Sequence, residues 1–253
     1  MTTQYLEKVI LREFAVLGMP VHIHENYRDW LVQRLQANQG AHVVTLNAEM
    51  TMQARKNSDL AKVIQRAELV VPDGAGIVLY LRSQGEKINR CPGIELSEQV
   101  VEIAAKKQWR IFLLGGAPNV VDNVVDIWQQ KWGDIAIAGT HHGYFDEVLE
   151  KQVCEQLQSS QPDLILVGLG VPRQELWIHK YRHLRPDAVW IGVGGSFDIW
   201  AGTKTRAPEW FSKNNLEWLY RLYQEPWRWK RMLSLPHFVW CVTKDALFKP
   251  KKA

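Results

Sequence analysis

The chain is poor in cysteine and has no long hydrophobic run. Its three cysteines, Cys91, Cys154 and Cys241, are far apart and form no C-x-x-C pair, which argues against a disulfide framework and a structural zinc site. It has no uninterrupted run of about eighteen apolar residues, the length that a membrane-spanning helix needs. Residues 1–14 interleave charges with apolar residues, unlike a signal peptide. We therefore expect a cytoplasmic protein with reduced thiols.

Familiar cofactor and metal motifs are also absent. Neither the dinucleotide pattern G-x-G-x-x-G nor the phosphate loop G-x-x-x-x-G-K-[ST] occurs, which argues against a nicotinamide or flavin enzyme and against a P-loop enzyme. Two short histidine clusters, His22 with His24 and His141 with His142, lack a partner at a recognised ligand spacing. The sequence therefore predicts no metal site and no cofactor.

Positive charge is concentrated at one end of the chain. The whole chain carries a net charge of +4, whereas the segment from Thr203 onward has eleven Lys and Arg against four acids, a net +7. Its stretch EWLYRLYQEPWRWKRM mixes cations with indole rings, as in segments that lie at a membrane surface. Two alternatives stay open: a nucleic-acid-binding tail, and a helix that packs Trp218, Leu219, Leu222 and Trp229 into the core.

Short aliphatic runs alternate with longer amphipathic stretches between Ala41 and Gly195, a pattern typical of βαβ units. We predict an α/β fold with a Rossmann-like, mostly parallel sheet flanked by helices. A hairpin turning at Gly18 is expected to extend or cap the sheet, with a helix from Asn26. The predicted domains are 1–203 and a helical appendage, 204–253. Predicted strands are 41–46, 68–71, 110–114, 134–139, 163–168 and 188–193, and predicted helices are 48–66, 94–107, 119–131 and 146–159.

Polar residues follow the first two predicted strands of this sheet. Thr45, Asn47 and Glu49 alternate as the chain leaves one strand, and Asp73 follows the next, beside Gly74. Ligands of open parallel sheets bind at the carboxyl ends of the strands, so these side chains are candidate site residues. Asp73 is placed as a general base or a hydroxyl ligand. For both Asn47 and Asp73 the competing interpretation is capping of the following helix.

Glycine-rich turns follow three further predicted strands. Backbone amides in such turns, and at the starts of helices, can face phosphate, although a pair of glycines after a strand is a weak signal. Arg173 and Gln174 are expected near the same crevice, and Asp198 is a further candidate contact to a nucleotide or sugar. The candidate loop residues are Gly115, Gly116, Gly168, Gly170, Gly194, Gly195 and Ser196.

Seven motifs occur in one order over residues 10–235: T-L-N-A-E, V-V-P-D-G-A-G, R-C-P-G-I-E-L, L-L-G-G, V-G-L-G-V-P-R-Q-E, G-V-G-G-S-F-D and E-W-L-Y-R-L-Y-Q-E-P-W-R. Together they resemble the TagA/WecG/CpsF family of bacterial glycosyltransferases. The resemblance implies an inverting, metal-independent transfer of an N-acetylmannosamine-type sugar from UDP to an undecaprenyl-diphosphate-linked N-acetylglucosamine. UDP-N-acetylmannosaminuronate and UDP-glucose stay open as alternative donors.

The resemblance also assigns roles to single residues. The family's proposed base matches Asp73, and a pocket glutamine matches Gln174. One departure is Glu95, where the family often has Asp, so a direct contact by that position is in doubt. Residues implied in donor, phosphate or acceptor binding are Thr45, Asn47, Arg90, Arg221, Arg228 and Arg231.

The partners implied are a UDP-sugar, a polyprenyl-diphosphate acceptor and an anionic membrane surface on the inner face of the cell membrane. Nucleic acid is not expected. The basic residues are concentrated at one terminus, and nucleic-acid binding by that terminus would not explain the polar residues at the strand ends of the body. A homo-oligomer stays open.

Overall fold

The structure is a computed structural model that describes residues 11–214 and 216–248. The cations Lys249, Lys251 and Lys252 of the predicted appendage lie outside this range. A hairpin of strands β1 (Arg12–Val16) and β2 (Met19–Ile23) turns at Gly18, as predicted, and is followed by helix α1 (Tyr27–Gln36). Within the described chain, the hairpin is a two-stranded sheet of its own.

The large sheet has six strands, all parallel, in the order β4-β3-β8-β7-β5-β6. The strands are buried because helices cover both faces, which explains their aliphatic sequences without polar alternation. This confirms the predicted fold class. The strands are β3 (Ala41–Leu46), β4 (Leu69–Pro72), β5 (Ile111–Gly115), β6 (Ile137–His141), β7 (Leu164–Gly168) and β8 (Val189–Gly192).

The prediction that the hairpin extends the sheet is wrong, and the alternative that it caps the sheet is correct. The backbone N–H of Val70, on edge strand β4, donates to Nδ1 of His22 at 2.8 Å. Burial lowers the pKa of His22, against the opposing effect of Glu13, which favours the neutral ring that can accept this bond. A side chain therefore covers the edge where a further strand would otherwise pair.

The helices that connect the strands differ from prediction in one place. The predicted helix 48–66 is two helices, because the Asn57 side chain accepts from the N–H groups of Asp59 and Leu60 and starts a second one. Strand β6 also lies two to three residues later than predicted. It is a half-buried edge strand, and its polar end, which pairs with β5, has no apolar pattern from which a strand could be predicted. The helices are α2 (Ala48–Ala54), α3 (Ser58–Gln65), α4 (Ala75–Ser83), α5 (Gly93–Lys107), α6 (Val120–Trp132), α7 (Glu147–Ser160), α8 (Arg173–Tyr181) and α9 (Ser196–Trp200).

The tail, here residues 204–248, is a series of short helices that ends in one long one. Its last helix packs against α2 and α4 and buries Phe238, Cys241 and Val242 in the core that lies under them. The Tyr80 hydroxyl donates to Asp245 at 2.7 Å across this contact. The helices are α10 (Glu209–Lys213), α11 (Glu217–Gln224), a 3₁₀ turn (Pro226–Arg228), α12 (Trp229–Met232) and α13 (Ser234–Phe248).

Candidate active site

A cavity of about 770 Å³ lies at the carboxyl ends of the central strands. Loops after β3, β4, β5, β7 and β8 form its floor and sides, and residues of α11 and the 3₁₀ turn form the wall contributed by the tail. Body and tail therefore enclose one site. The predicted residues that line it are Thr45, Asn47, Glu49, Asp73, Gly116, Gly168, Gly170, Arg173, Gln174, Gly194, Gly195, Ser196, Asp198, Arg221, Arg228 and Arg231.

Two predicted site residues do not line the cavity. Arg90 lies behind the wall and pairs with Glu217 of the tail at 2.8 Å, both side chains being largely buried. Gly115 ends β5, where a β carbon would lie 2.4 Å from the Gly168 carbonyl oxygen. Glycine is needed there for the close approach of two strand ends. The structure thus gives a steric reason for glycine at position 115, and its contact with phosphate stays a prediction.

Asp73 is held at the end of β4 by its backbone N–H, which donates to the Leu46 carbonyl at 3.0 Å. Its carboxylate does not cap helix α4, whose N-cap is Gly74 with no side-chain bond, so the competing capping interpretation fails. Burial raises the pKa of Asp73, opposed by Arg221, Arg90 and the Gly93 amide. A raised pKa makes this carboxylate a stronger base than an exposed one.

Asn47 has both of the roles considered for it. Its side-chain oxygen accepts from the Met50 N–H at 2.9 Å and caps helix α2, while the residue also lines the cavity. Thr45, two residues earlier and still on β3, donates its hydroxyl to the Gly192 carbonyl at 3.3 Å. The two side chains are therefore held at fixed positions on the cavity floor beside Asp73.

The turn after β8, the strand that pairs with β3, is fixed by one bond from helix α8 and one bond within the turn. The Gln174 side-chain oxygen accepts from the Gly194 N–H at 3.0 Å, and the Ser196 hydroxyl donates to the Val193 carbonyl at 2.7 Å. Gln174 and Ser196 are both buried. The turn therefore has little freedom to change shape when a ligand enters.

Cations of the tail stand at the cavity mouth, where carboxylates hold them. Arg228 pairs with Glu225 at 2.7 Å, and Arg231 lies 3.8 Å from Glu49. The buried Nε–H of Arg228 has no hydrogen-bond partner in the described structure. These guanidinium groups supply positive charge where an anionic group of a ligand would lie.

Lys204 joins the body to the tail at the same mouth. Its ammonium group lies 2.7 Å from Asp198 and 3.0 Å from Glu225. Glu95, the departure noted in the sequence, pairs with Arg206 and does not line the cavity. The charge of Glu95 is therefore used in a contact between α5 and the start of the tail.

The sequence interpretation missed several lining residues, among them Tyr144, Lys204 and Glu225. Tyr144 follows β6, and the prediction ended that strand too early. The other two residues lie in the tail, where only the arginines were considered as site residues. The strand-end rule would have found Tyr144 from the correct end of β6. Nothing local marks Glu225 as a lining residue, because its partner Lys204 lies elsewhere in the sequence.

The structure gives the histidine clusters no metal partners. Within residues 11–214 and 216–248, no group of three or more His, Cys, Asp or Glu side chains could hold a metal ion. The His141 and His142 rings contact each other with centroids 4.5 Å apart.

Open parallel sheets bind ligands where this cavity lies, and the molecule has a Rossmann-like α/β fold. A model described as the glycosyl transferase WecG/TagA/CpsF family matches residues 14–252. The chain belongs to this family, and it is a glycosyltransferase. The resemblance identified from the seven motifs is thereby confirmed.

Three curated relatives match most of the chain. A protein of Bacillus subtilis (strain 168) is 41% identical over 207 residues, covering 81% of this chain and 80% of the relative. One of Bacillus spizizenii is 39% identical, covering 83% and 81%, and one of Staphylococcus aureus (strain MW2) is 36% identical, covering 86% and 85%. Each is named N-acetylglucosaminyldiphosphoundecaprenol N-acetyl-beta-D-mannosaminyltransferase.

Proposed function

We propose that this glycosyltransferase moves N-acetylmannosamine from UDP to N-acetylglucosaminyl-diphospho-undecaprenol, with inversion at the sugar. The relatives' names specify this acceptor and a β-mannosaminyl product. Formation of a β linkage from an α-linked UDP-sugar requires a single displacement. The observation that carries the proposal is Asp73, a half-buried carboxylate on the floor of a cavity that Arg221, Arg228 and Arg231 also line.

Asp73 serves as the general base in this proposal. The acceptor hydroxyl attacks the anomeric carbon, its proton passes to the Asp73 carboxylate, and the bond from that carbon to the UDP oxygen breaks. Burial favours this step because it raises the pKa of Asp73, so the carboxylate accepts the proton more readily. Arg221 and Arg90 limit that rise and keep the group ionised before reaction.

The leaving diphosphate is stabilised by the tail cations and the turns of the body. Arg221, Arg228 and Arg231 line the mouth of the cavity, and charge-assisted bonds from guanidinium groups to phosphate are about twice as strong as neutral ones. The orphan Nε–H of Arg228 is a donor that a phosphate oxygen can satisfy. This arrangement supports transfer without a metal ion, a property that remains part of the proposal.

The tail also supports attachment to an anionic membrane. Apolar side chains are exposed along 210–247, among them Trp227 at 71% and Trp240 at 61%. The Lys230 and Lys244 ammonium groups stack over Trp229 and Trp240, 5.7 and 5.4 Å from the ring centroids. Rings and cations together favour the headgroup region of a bilayer. Within the described residues, the helices are too short or too polar to cross a membrane.

A transfer assay tests the substrates directly. Purified protein is incubated with a polyprenyl-diphosphate-linked N-acetylglucosamine and one donor at a time: UDP-N-acetylmannosamine, UDP-N-acetylmannosaminuronate or UDP-glucose. We expect a β-linked disaccharide from the first donor, in the presence of EDTA as well as without it. Product from another donor alone would refute the assigned sugar, and loss of activity with EDTA would refute metal independence.

A further inference from the structure

A chain of buried hydrogen bonds leads from the core of the sheet to the cavity wall. Nε2 of His42, on β3, lies 2.6 Å from Oε2 of Glu175, and the Gln174 amide nitrogen donates to Oε1 of the same carboxylate at 2.9 Å. The Gln174 oxygen in turn accepts from the Gly194 N–H at 3.0 Å. Glu175 is 0% exposed and does not line the cavity, whereas Gln174 and Gly194 do.

The chemistry of the carboxylate decides which way the Gln174 amide faces. An ionised carboxylate only accepts hydrogen bonds, so the Gln174 NH₂ group must face Glu175. The Gln174 oxygen is then left for the Gly194 N–H. With an apolar residue at 175, the Gln174 NH₂ group loses its buried acceptor, and the side chain is no longer held in the orientation that presents its oxygen to the Gly194 N–H.

Tight packing at the end of β8 prevents these side chains from moving aside. A β carbon on Gly192 would lie 2.5 Å from the Gln174 amide nitrogen and 2.5 Å from Oε1 of Glu175. Gly194 itself has a positive φ of +54°, a conformation that most residues avoid. Glycine at 194 permits this backbone shape, and the bond from Gln174 holds the turn in it.

We propose that Glu175 is a positioning residue for the donor site. It fixes the orientation of the Gln174 amide, which holds the Gly194–Ser196 turn in the shape that lines the cavity. This inference rests on the proposed function, because it takes Gln174 and the turn to bind the UDP part of the donor.

A purely structural role for the His42–Glu175 pair predicts something different. Removing one partner of a buried pair usually destabilises the fold, because the other group stays buried without its partner. A structural role would therefore affect thermal unfolding and leave UDP affinity unchanged in any variant that folds. A positioning role affects UDP affinity, and it does so only through Gln174.

A double-mutant cycle separates these roles. UDP binding to the full chain is measured by calorimetry for the wild type, Gln174→Ala, Glu175→Met and the double variant. We expect each single change to weaken binding about tenfold, the worth of one well-placed hydrogen bond. The double variant should bind no more weakly than Gln174→Ala, because Glu175 acts through that residue.

Glu68→Gln is the matched control. Glu68 accepts from the His42 backbone N–H at 2.7 Å and pairs with Arg182 at 2.9 Å, and neither of these contacts involves Gln174. The change therefore removes the half-buried charge of Glu68 next to His42 and leaves the contacts of the Gln174 amide unchanged. We expect UDP affinity equal to that of the wild type.

A second pair of variants keeps the test valid if Glu175→Met does not fold. Gln174→Glu sets two carboxylates against each other and should weaken UDP binding. Adding Glu175→Gln to it supplies an NH₂ donor that bonds the introduced carboxylate in the reversed arrangement. We expect the added change to recover at least about fivefold in affinity, and Glu68→Gln in the same background to recover none.

Additive losses in the cycle, wild-type affinity in Glu175→Met, or no recovery in the swapped pair would each overturn the proposal. Failure of the wild type to bind UDP would instead contradict the proposed function. The two failures are therefore distinguishable from one set of titrations.

Discussion

The body and the tail build one site by different physical means. In the body, the strands that end at the cavity are buried and hydrogen-bonded on both sides, except at the two sheet edges. In the tail, short helices expose indole rings and meet the body through partly exposed ion pairs such as Lys204–Asp198 and Arg206–Glu95. Buried backbone ladders hold positions tightly, whereas ion pairs at a partly exposed surface are weak and sensitive to salt.

This difference suggests a division of roles. In the proposed reaction, the body provides the base and the turns that bind the donor, and their geometry is fixed by contacts within the body. The tail provides Arg221, Arg228 and Arg231, whose positions depend on contacts that anionic lipid or phosphate can replace. Apolar burial anchors α13, through Phe238, Cys241 and Val242. A membrane would therefore be expected to act on the part of the tail before α13.

Asp73→Asn should have the largest effect, and it tests the body alone. Loss of the general base should lower transfer by about 10²–10⁴-fold, while the uncharged amide leaves the fold and UDP binding intact. Single-turnover transfer and UDP calorimetry on the same preparation measure both quantities. Asp198→Asn, a change at a carboxylate paired with Lys204, serves as the comparison and should retain far more of the chemical step. Near wild-type turnover by Asp73→Asn would remove Asp73 as the base.

Phe238→Ala tests whether the tail is anchored as firmly as the body is packed. The ring is 2% exposed and lies in the core formed with α2 and α4. Removing a buried phenylalanine ring costs about 3–5 kcal/mol of unfolding free energy, measurable by urea denaturation. Trp240→Ala, on the exposed side of the same helix, should cost less than about 1 kcal/mol. Equal effects would show that α13 does not share the core.

Arg228→Glu separates the tail's charge from its packing. Reversal of this charge should lower transfer to the lipid-linked acceptor by about 10²–10³-fold, as expected when a donor to developing charge is lost. The stability of the protein should change little, because the ion pair that is lost joins Arg228 to nearby Glu225 within the tail. Lys230→Glu changes charge by the same amount at a site outside the cavity lining. A loss of transfer as large in Lys230→Glu would assign the effect to membrane attraction instead.

Membrane binding should depend on the exposed tryptophans of the tail and not on an exposed apolar side chain of the body. Flotation with vesicles of phosphatidylglycerol measures it. Trp229→Ser with Trp240→Ser should weaken binding about thirtyfold, because each of the two indoles contributes on the order of 1 kcal/mol at the interface. Val148→Ser is the control in the body, where the side chain is 67% exposed on α7. Equal binding by both variants would refute a membrane face on the tail.

Sequence patterns were informative where structure depends on local burial. Strand β3 was predicted with its observed bounds, because a strand buried on both faces has a continuous aliphatic sequence. The edge strand β6 was misplaced because half its surface is exposed and its polar end carries no such signal. Asp73 was found because it follows a strand. The bond between Glu175 and His42, 133 positions apart, has no local signature and depends on how α8 packs on the sheet.

The pH dependence is the smallest expected effect, and it separates Asp73 from carboxylates held by cations. Burial raises the pKa of Asp73, whereas Arg228 and Lys204 lower the pKa of Glu225. The base must be ionised, so kcat/KM should fall as pH drops through the raised pKa of Asp73, well before Glu225 is protonated. Stability should change in the opposite sense: a raised pKa favours the folded state at low pH, and this contribution is lost as pH rises through it.

Asp73→Asn should therefore be more stable than the wild type at neutral pH, with the difference vanishing below the ordinary pKa of aspartate. Thermal unfolding of both proteins across this pH range measures the difference. A melting-temperature difference that does not change with pH would show that the Asp73 carboxylate is not destabilised by burial, and its role as an activated base would lose its physical support.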